Sequence, residues 1–296
     1  MVVFLSAFWG IRLICSVVGA CFSAFYAWRR GATNTSKLGD EVLGHQVRLV
    51  FEAHKRRYGS RRICAELRAS GHSVSRRQVA ALMRRQQLKA IQPRSFVPRT
   101  TNSKGVRRSD NLLLDRPESK RPGEVLIGDI TYIPLKGGRF AYLAIWQDMH
   151  TRQIVGWELA MHMRSSLVIN ALKKALGLRK YAKGLIVHSD GGGQYDADDF
   201  RRLLNAEKFL SSMARKDNHY DNAMAESFFS RIKAELLENG LFDCFEDAYT
   251  EIFDYMEVYY NSKRRHSSLN YLTPDEYEQD WERRYKRSKN LTEIVV

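Results

Sequence analysis

Hydrophobic positions change their spacing partway along the chain. Between Asp40 and His54 the apolar residues Val42, Val47, Val50 and Phe51 recur at helical intervals with charges between them, until Tyr58-Gly59-Ser60 breaks the pattern. Arg61 to Ala69 predicts a second helix on Ile63, Cys64 and Leu67, and Gly71-His72 the next turn. Ser75 followed by Gln78 has capping-box spacing, so a third helix begins there, burying Val79, Leu82 and Met83. From Glu124 the pattern turns to short β-rich runs, Val125 to Ile133, Phe140 to Gln147 and Gln153 to Leu159. They are separated by Lys136-Gly137-Gly138 and His150-Thr151-Arg152, which predicts three antiparallel strands. A helix over Ser166 to Leu178, a buried strand over Leu185 to Ser189, a helix over Ala197 to Leu204 and a fifth strand over Phe209 to Ser212 follow. Helices then dominate, at about Asn222 to Leu237 and Phe245 to Tyr260. The expected architecture is an all-α region followed by an α/β core with a mixed five-stranded sheet.

Charge follows the same division. The chain carries a net charge of +15, but the residues before Gly123 hold 24 Lys and Arg against 7 Asp and Glu, and the remainder 24 against 26. A basic first part suits phosphate neutralisation and a near-neutral second part another task. Three short helices with a tight turn before a basic last helix predict a helix-turn-helix. Arg61, Arg62, Arg76, Arg77, Arg84 and Arg85 are its candidate phosphate contacts, and Gln78 a candidate for a base edge. Gln92 to Pro122 reads as a basic linker anchored by Leu112-Leu113-Leu114. The expected limits are a small helical unit at 1–36, the helix-turn-helix at 37–91, the linker at 92–122, the core at 123–280 and a basic tail at 281–296.

Leu13 to Trp28 is almost all apolar or small, yet Arg12 interrupts it and what remains falls short of the roughly 20 residues that span a bilayer. No membrane role is expected. Cys15, Cys21, Cys64 and Cys244 form no CxxC pair and no zinc-finger spacing, and read as buried free thiols of a reducing cytoplasm.

Candidate chemistry lies in acids set into the core. Asp129 interrupts an apolar strand, where a carboxylate is costly unless it is paired or binds a cation. Asp190 ends another apolar strand and precedes Gly191-Gly192-Gly193, which lets a metal or a phosphate backbone approach. Glu226 sits on a helix with small residues before it and Phe228-Phe229 after it. Three such carboxylates suit phosphodiester chemistry with two Mg²⁺ ions. Spacing alone leaves Asp148, Asp196, Asp198, Asp199 and Asp221 as competitors.

Asp129-Ile130-Thr131-Tyr132-Ile133, Gln153-Ile154-Val155-Gly156-Trp157, His188-Ser189-Asp190 through Gln194-Tyr195, and Asp221-Asn222-Ala223 through Glu226-Ser227-Phe228-Phe229 follow one another in order. With 35 residues between Asp190 and Glu226, this series resembles bacterial insertion-sequence transposases of the DDE class with a retroviral-integrase-type core. Tyr260-Asn261 with Arg265-His266-Ser267-Ser268-Leu269 and Thr273-Pro274 resembles the family's C-terminal signature, and Tyr58 to Ile63 its helix-turn-helix region. Gly191 and Gly193 depart from it, standing where the family often has Arg and Ser. The resemblance implies a ribonuclease-H-like core and metal ligation by Asp129, Asp190 and Glu226, with Mg²⁺ or Mn²⁺. It also implies recognition of terminal inverted repeats, 3′-end cleavage, and strand transfer into target DNA by a nucleoid-associated cytoplasmic oligomer, with a small helix-turn-helix partner encoded in an upstream frame. His188 and Asn222 are candidates for supporting the ligands, and Lys216 for contacting DNA. Two rivals are a nuclease of the same fold that cuts without joining and an inactive repressor of the element.

Overall fold

A computed structural model of the chain describes residues 10–19, 21–29, 32–92, 109–114, 118–215, 222–237 and 240–294. The chain divides into two compact units, Met1–Ile91 and Gln92–Val296.

The first unit contains α1 (Ile11–Val17), α2 (Phe22–Arg29), α3 (Ala32–Ala53), α4 (Ser60–Ala69) and α5 (Arg76–Arg85). Helix α3 runs uninterrupted across the limit expected at 36/37. Helices α3, α4 and α5 bury Val47, Phe51, Ile63, Leu67, Val79 and Leu82 around Tyr58. The turn from α4 to α5 holds Gly71 at φ +87, a conformation that a side chain would strain. The expected capping box forms: the Ser75 hydroxyl accepts from the Gln78 amide, and the Gln78 side chain accepts in return from the Ser75 amide at 3.0 Å. No helix among the described residues is long and apolar enough to cross a membrane.

The second unit begins with the antiparallel strands β1 (Val125–Leu135), β2 (Arg139–Asp148) and β3 (Ile154–Ala160). Helix α6 (Ser165–Leu178) leads to β4 (Ile186–Ser189), then α7 (Gly193–Asp196) and α8 (Asp198–Glu207) lead to β5 (Leu210–Met213). Strand β4 lies parallel to β1, and β5 parallel to β4, so the sheet order is β3-β2-β1-β4-β5, the expected mixed five-stranded sheet. Helices α9 (Ala223–Leu236) and α10 (Phe245–Phe253) follow, then a π-helical stretch at Asp254–Tyr260, and finally α11 (Pro274–Ile294).

Alternation along the strands gives each sheet face its own core. On one face Leu126, Ala144, Trp146 and Val155 meet α6 and α8 through Val168, Leu172, Phe200 and Leu204. Glycines make this face possible. A Cβ at Gly156 would stand 2.2 Å from the Ala171 carbonyl oxygen, and one at Gly128 would stand 2.4 Å from the Trp146 ring. On the other face Ile133, Ala141, Leu143 and Ile145 pack against Phe228, Phe229 and Ile232 of α9 and against Ile252, Tyr255 and Tyr259 beyond it. The linker's anchor takes part too, with Leu112 and Leu113 packed near Val125, Ile127, Ile186 and Ala225.

The segment after the π-helix ties this core together. The Asn261 side-chain amide donates to the Ile154 carbonyl at 2.9 Å and its oxygen accepts from the Ile154 amide at 3.0 Å. It thereby satisfies part of an edge strand that would otherwise offer unpaired backbone groups. Arg264, 2% exposed, reaches into the core to pair with Glu235 at 2.5 Å. Of the free cysteines, Cys15 and Cys64 are buried as expected and Cys244 is partly so, but Cys21, just before α2, is exposed.

Candidate active site

Register places the first two carboxylates. Gly128 of β1 pairs with Ser189 of β4 in parallel, so Asp129 and Asp190, each one residue further, are neighbours across the two strands. Ile127 and Ile186 precede them on the face that meets α9, where Ala225 is fully buried against both. A small residue there lets the start of α9 settle close to the sheet, and the next residue, Glu226, is carried to the rim of the strands with its side exposed.

The three carboxylates also act on one another electrostatically. Burial pushes the Asp129 carboxyl well above the usual carboxylate range, the Asp190 charge pushes it further, and Glu226 adds to both; the Ile130 amide, donating at 2.8 Å, and Lys233 oppose the shift. Lys233 is itself lowered by desolvation, with Asp129 opposing. Tyr195, on α7, is buried with no hydrogen-bond partner for its hydroxyl among the described residues. Burial raises that phenol well above its ordinary range, and the charges of Asp190 and Asp129 add to it. Crowded carboxylates, one of them costly to ionise, beside an unsatisfied buried hydroxyl describe a site short of positive charge.

The donors are all hard oxygens, the set that suits Mg²⁺ or Mn²⁺. Among the described residues no three His, Cys, Asp or Glu side chains close into a cage by themselves. An open half-site of this kind fits Mg²⁺, which is commonly held by one or two carboxylates together with waters and substrate phosphates.

The competing acids have other employment. Asp148 is 1% exposed and accepts from the amides of Gly123, His150 and Thr151 at 2.6, 2.9 and 2.9 Å, which fixes the turn after β2. Asp199 accepts from the Ser165 hydroxyl and from the Phe200 amide, each at 2.9 Å, and Asp196 faces Arg201 at 3.6 Å. Asp198 is exposed in the first turn of α8. Asp221 and Lys216 lie outside the described residues.

His188 is fully buried in β4, with Nδ1 2.9 Å from the Ser212 hydroxyl of β5, and so braces the strand that leads into Asp190. Asn222, also buried, starts the turn into α9, and its side-chain oxygen has no partner among the described residues. Sequence reasoning missed Lys233 and Tyr195. Lys233 lies two helical turns beyond Glu226 and therefore on the same side of α9, a spacing that could have found it.

In the first unit Arg61, Arg76, Arg77, Arg84 and Arg85 are exposed, whereas the Arg62 guanidinium lies 5.7 Å from the centroid of the buried Tyr58 ring. Arg85 also pairs with Asp40 at 2.9 Å. The Gln78 side-chain oxygen is held by its capping box, so a base contact from that group competes with the helix cap.

An integrase core domain family matches residues 119–219 and a second integrase core family residues 208–274, while an HTH-like domain family matches residues 37–96. The chain is 39% identical over 239 residues to the transposase for insertion sequence element IS904 of Lactococcus lactis, covering 80% of this chain and 94% of that protein. It is 36% identical over 270 residues to transposase InsF for insertion sequence IS3A of Escherichia coli, covering 90% and 93%. A solved HTLV-2 integrase catalytic core domain overlaps 54% of this chain and 99% of its own at 14% identity, with a TM-score of 0.42, too loose to add to the assignment. With matching families across both units and relatives spanning nearly the whole chain, this protein belongs to the insertion-sequence transposases, polynucleotidyl transferases with a ribonuclease-H-like integrase core and a helix-turn-helix-like region.

Proposed function

We propose that Asp129, Asp190 and Glu226 are the metal-binding catalytic carboxylates of this transposase, and that it cleaves the 3′ ends of its element and joins them to target DNA. The observation that carries this reading is the cross-strand adjacency of Asp129 and Asp190, with Ala225 seating Glu226 beside them. Asp129, Asp190 and Glu226 would together hold the two divalent cations. When bound, the two divalent cations supply activation of the attacking oxygen and charge stabilisation of the leaving one.

The chain's own groups do the rest. Lys233 offsets part of the Asp129 charge and is a candidate to meet a substrate phosphate. His188 braces the end of β4 through the Ser212 hydroxyl, and Asn222 stands at the start of α9, one helical turn before Glu226. The exposed arginines of α4 and α5 grip the phosphates of the terminal repeats. In the first step water attacks the phosphorus at the element's end and the bond to the 3′ oxygen breaks. In the second, that 3′ hydroxyl attacks a target phosphodiester and displaces another 3′ oxygen.

Incubating the protein, alone and with any upstream-frame partner, with Mg²⁺ and DNA bearing the element's ends is expected to yield joined strands, and none in EDTA. Cleaved ends without joined product would favour a nuclease, and binding without cleavage a repressor.

A further inference from the structure

We propose that the exposed half of α11, from Arg283 to Lys289, is an arm by which the catalytic unit grips the phosphate backbone of duplex DNA, independently of the helix-turn-helix region. This rests on the reading that the catalytic unit works on DNA.

Helix α11 has two unlike halves. Its first half is anchored: Glu278 is 8% exposed and ion-paired with Arg179, and Trp281 and Tyr277 lie against the His150 ring at 6.1 and 5.6 Å between centroids. From Glu282 to Lys289 every residue is exposed. Five of the seven residues from Arg283 to Lys289 are Arg or Lys. At 100° per residue, Arg283, Lys286 and Arg287 share the side of the helix opposite the Tyr277–Trp281–Tyr285 stripe, with Arg284 and Lys289 flanking them. Like charges at this spacing are neighbours on the helix surface and repel one another, a repulsion that a polyanion would relieve.

Arg283 and Arg284 have Asp280 at 3.6 and 3.1 Å, but Lys286, Arg287 and Lys289 make no ion pair among the described residues. The residues from Gly123 onward carry 24 basic against 26 acidic side chains and a cluster of carboxylates at the candidate site, so a polyanion is not drawn there by net charge. A concentrated basic arm supplies that attraction locally. A membrane surface fits poorly, because the described part of this half has no apolar face apart from Tyr285, itself stacked on Trp281 at 5.0 Å.

The test is the salt dependence of binding to a random-sequence duplex, which isolates backbone contacts from base reading. The full chain is compared with a variant in which Arg283, Arg284, Lys286, Arg287 and Lys289 are all replaced by Gln, a residue of similar helix propensity. With about 0.9 in slope per phosphate contact, the variant's log affinity against log salt is expected to flatten by about 3 to 4, with a tenfold or larger loss of affinity near ~0.1 M salt. Its circular dichroism and melting temperature are expected to stay at wild-type values. An unchanged slope, with wild-type protein binding normally, overturns the arm and leaves the transposase reading standing. A changed oligomeric state with unchanged DNA binding overturns it in favour of a protein contact. No salt-dependent duplex binding by the wild type would overturn both.

Discussion

Replacing Asp129 with Asn is expected to abolish joining of DNA ends while making the metal-free protein more stable. Both effects come from one cause. The Asp129 carboxyl is raised by burial and by the neighbouring Asp190 and Glu226 charges, so ionising it in the fold costs free energy that the unfolded chain does not incur. For an acid whose folded value is raised, the folded state holds more protons than the unfolded one between the two values. The stability this group contributes is therefore full below the ordinary carboxylate range and is lost as pH rises through the raised folded value. Asn removes that loss, and with it the charge that would bind a cation. Each kcal/mol gained lifts the melting temperature by roughly 2–4 °C in a domain of this size. Activity should fall by about 10²–10³-fold or more, the lower bound being the scale for removing one preorganised charge-stabilising group. Scanning calorimetry with and without Mg²⁺, across neutral and acidic pH, checks the first effect and a strand-transfer assay the second. A wild-type protein whose metal-free stability rises steadily from acid to neutral pH with no gain in the Asn variant would contradict the reading.

Glu235→Gln is expected to have the largest effect on stability of any single change outside the site, about 3–5 kcal/mol, because it leaves the buried Arg264 guanidinium without its counter-charge. The Glu235 oxygens accept from Arg264 Nη2 at 2.5 Å, Arg264 Nε at 3.1 Å and the Tyr255 hydroxyl at 2.9 Å. That triad joins α9 to the π-helix and to the segment leading into α11. The same helix bears Glu226 near its other end, so this loss should reach activity through the position of α9. Urea unfolding should show a lower midpoint with an unchanged slope. The pair Glu235→Leu with Arg264→Met should recover most of the loss, since an apolar pair of similar volume avoids burying charge. A single-variant cost below about 1 kcal/mol would mean that water reaches the pair.

The sequence showed the sheet well because its strands announce themselves by period and by short turn-bounded runs, and β1 to β3 are joined by local hairpins. The motif residues around Asp129, Asp190 and Glu226 were equally visible. Their adjacency was not, since the parallel pairing of β1 with β4 comes from a crossover through α6 that no local pattern specifies. For the same reason Asp148 could not be told from a catalytic acid until its three backbone donors were in view. The π-helical turn at Asp254–Tyr260 hid inside an ordinary helical pattern, because four buried residues there, Tyr255, Met256, Tyr259 and Tyr260, keep a spacing an α-helix shares. Helix α11 runs through the limit expected at 280/281. Its basic half lacks an apolar period, yet Arg, Lys and Glu are good helix formers and the anchored first half supplies the nucleus.

Strand transfer by Glu226→Gln beside wild type, on DNA carrying the element's ends in Mg²⁺, tests the carboxylate assignment most directly. Gln keeps the shape of Glu226 on the exposed rim of α9 and removes only its charge, so the fold and the arginine contacts to DNA should persist. The expected result is normal DNA binding with joined product reduced by about 10²-fold or more. Joining by Glu226→Gln at the wild-type rate would contradict the assignment and remove Glu226 from the site.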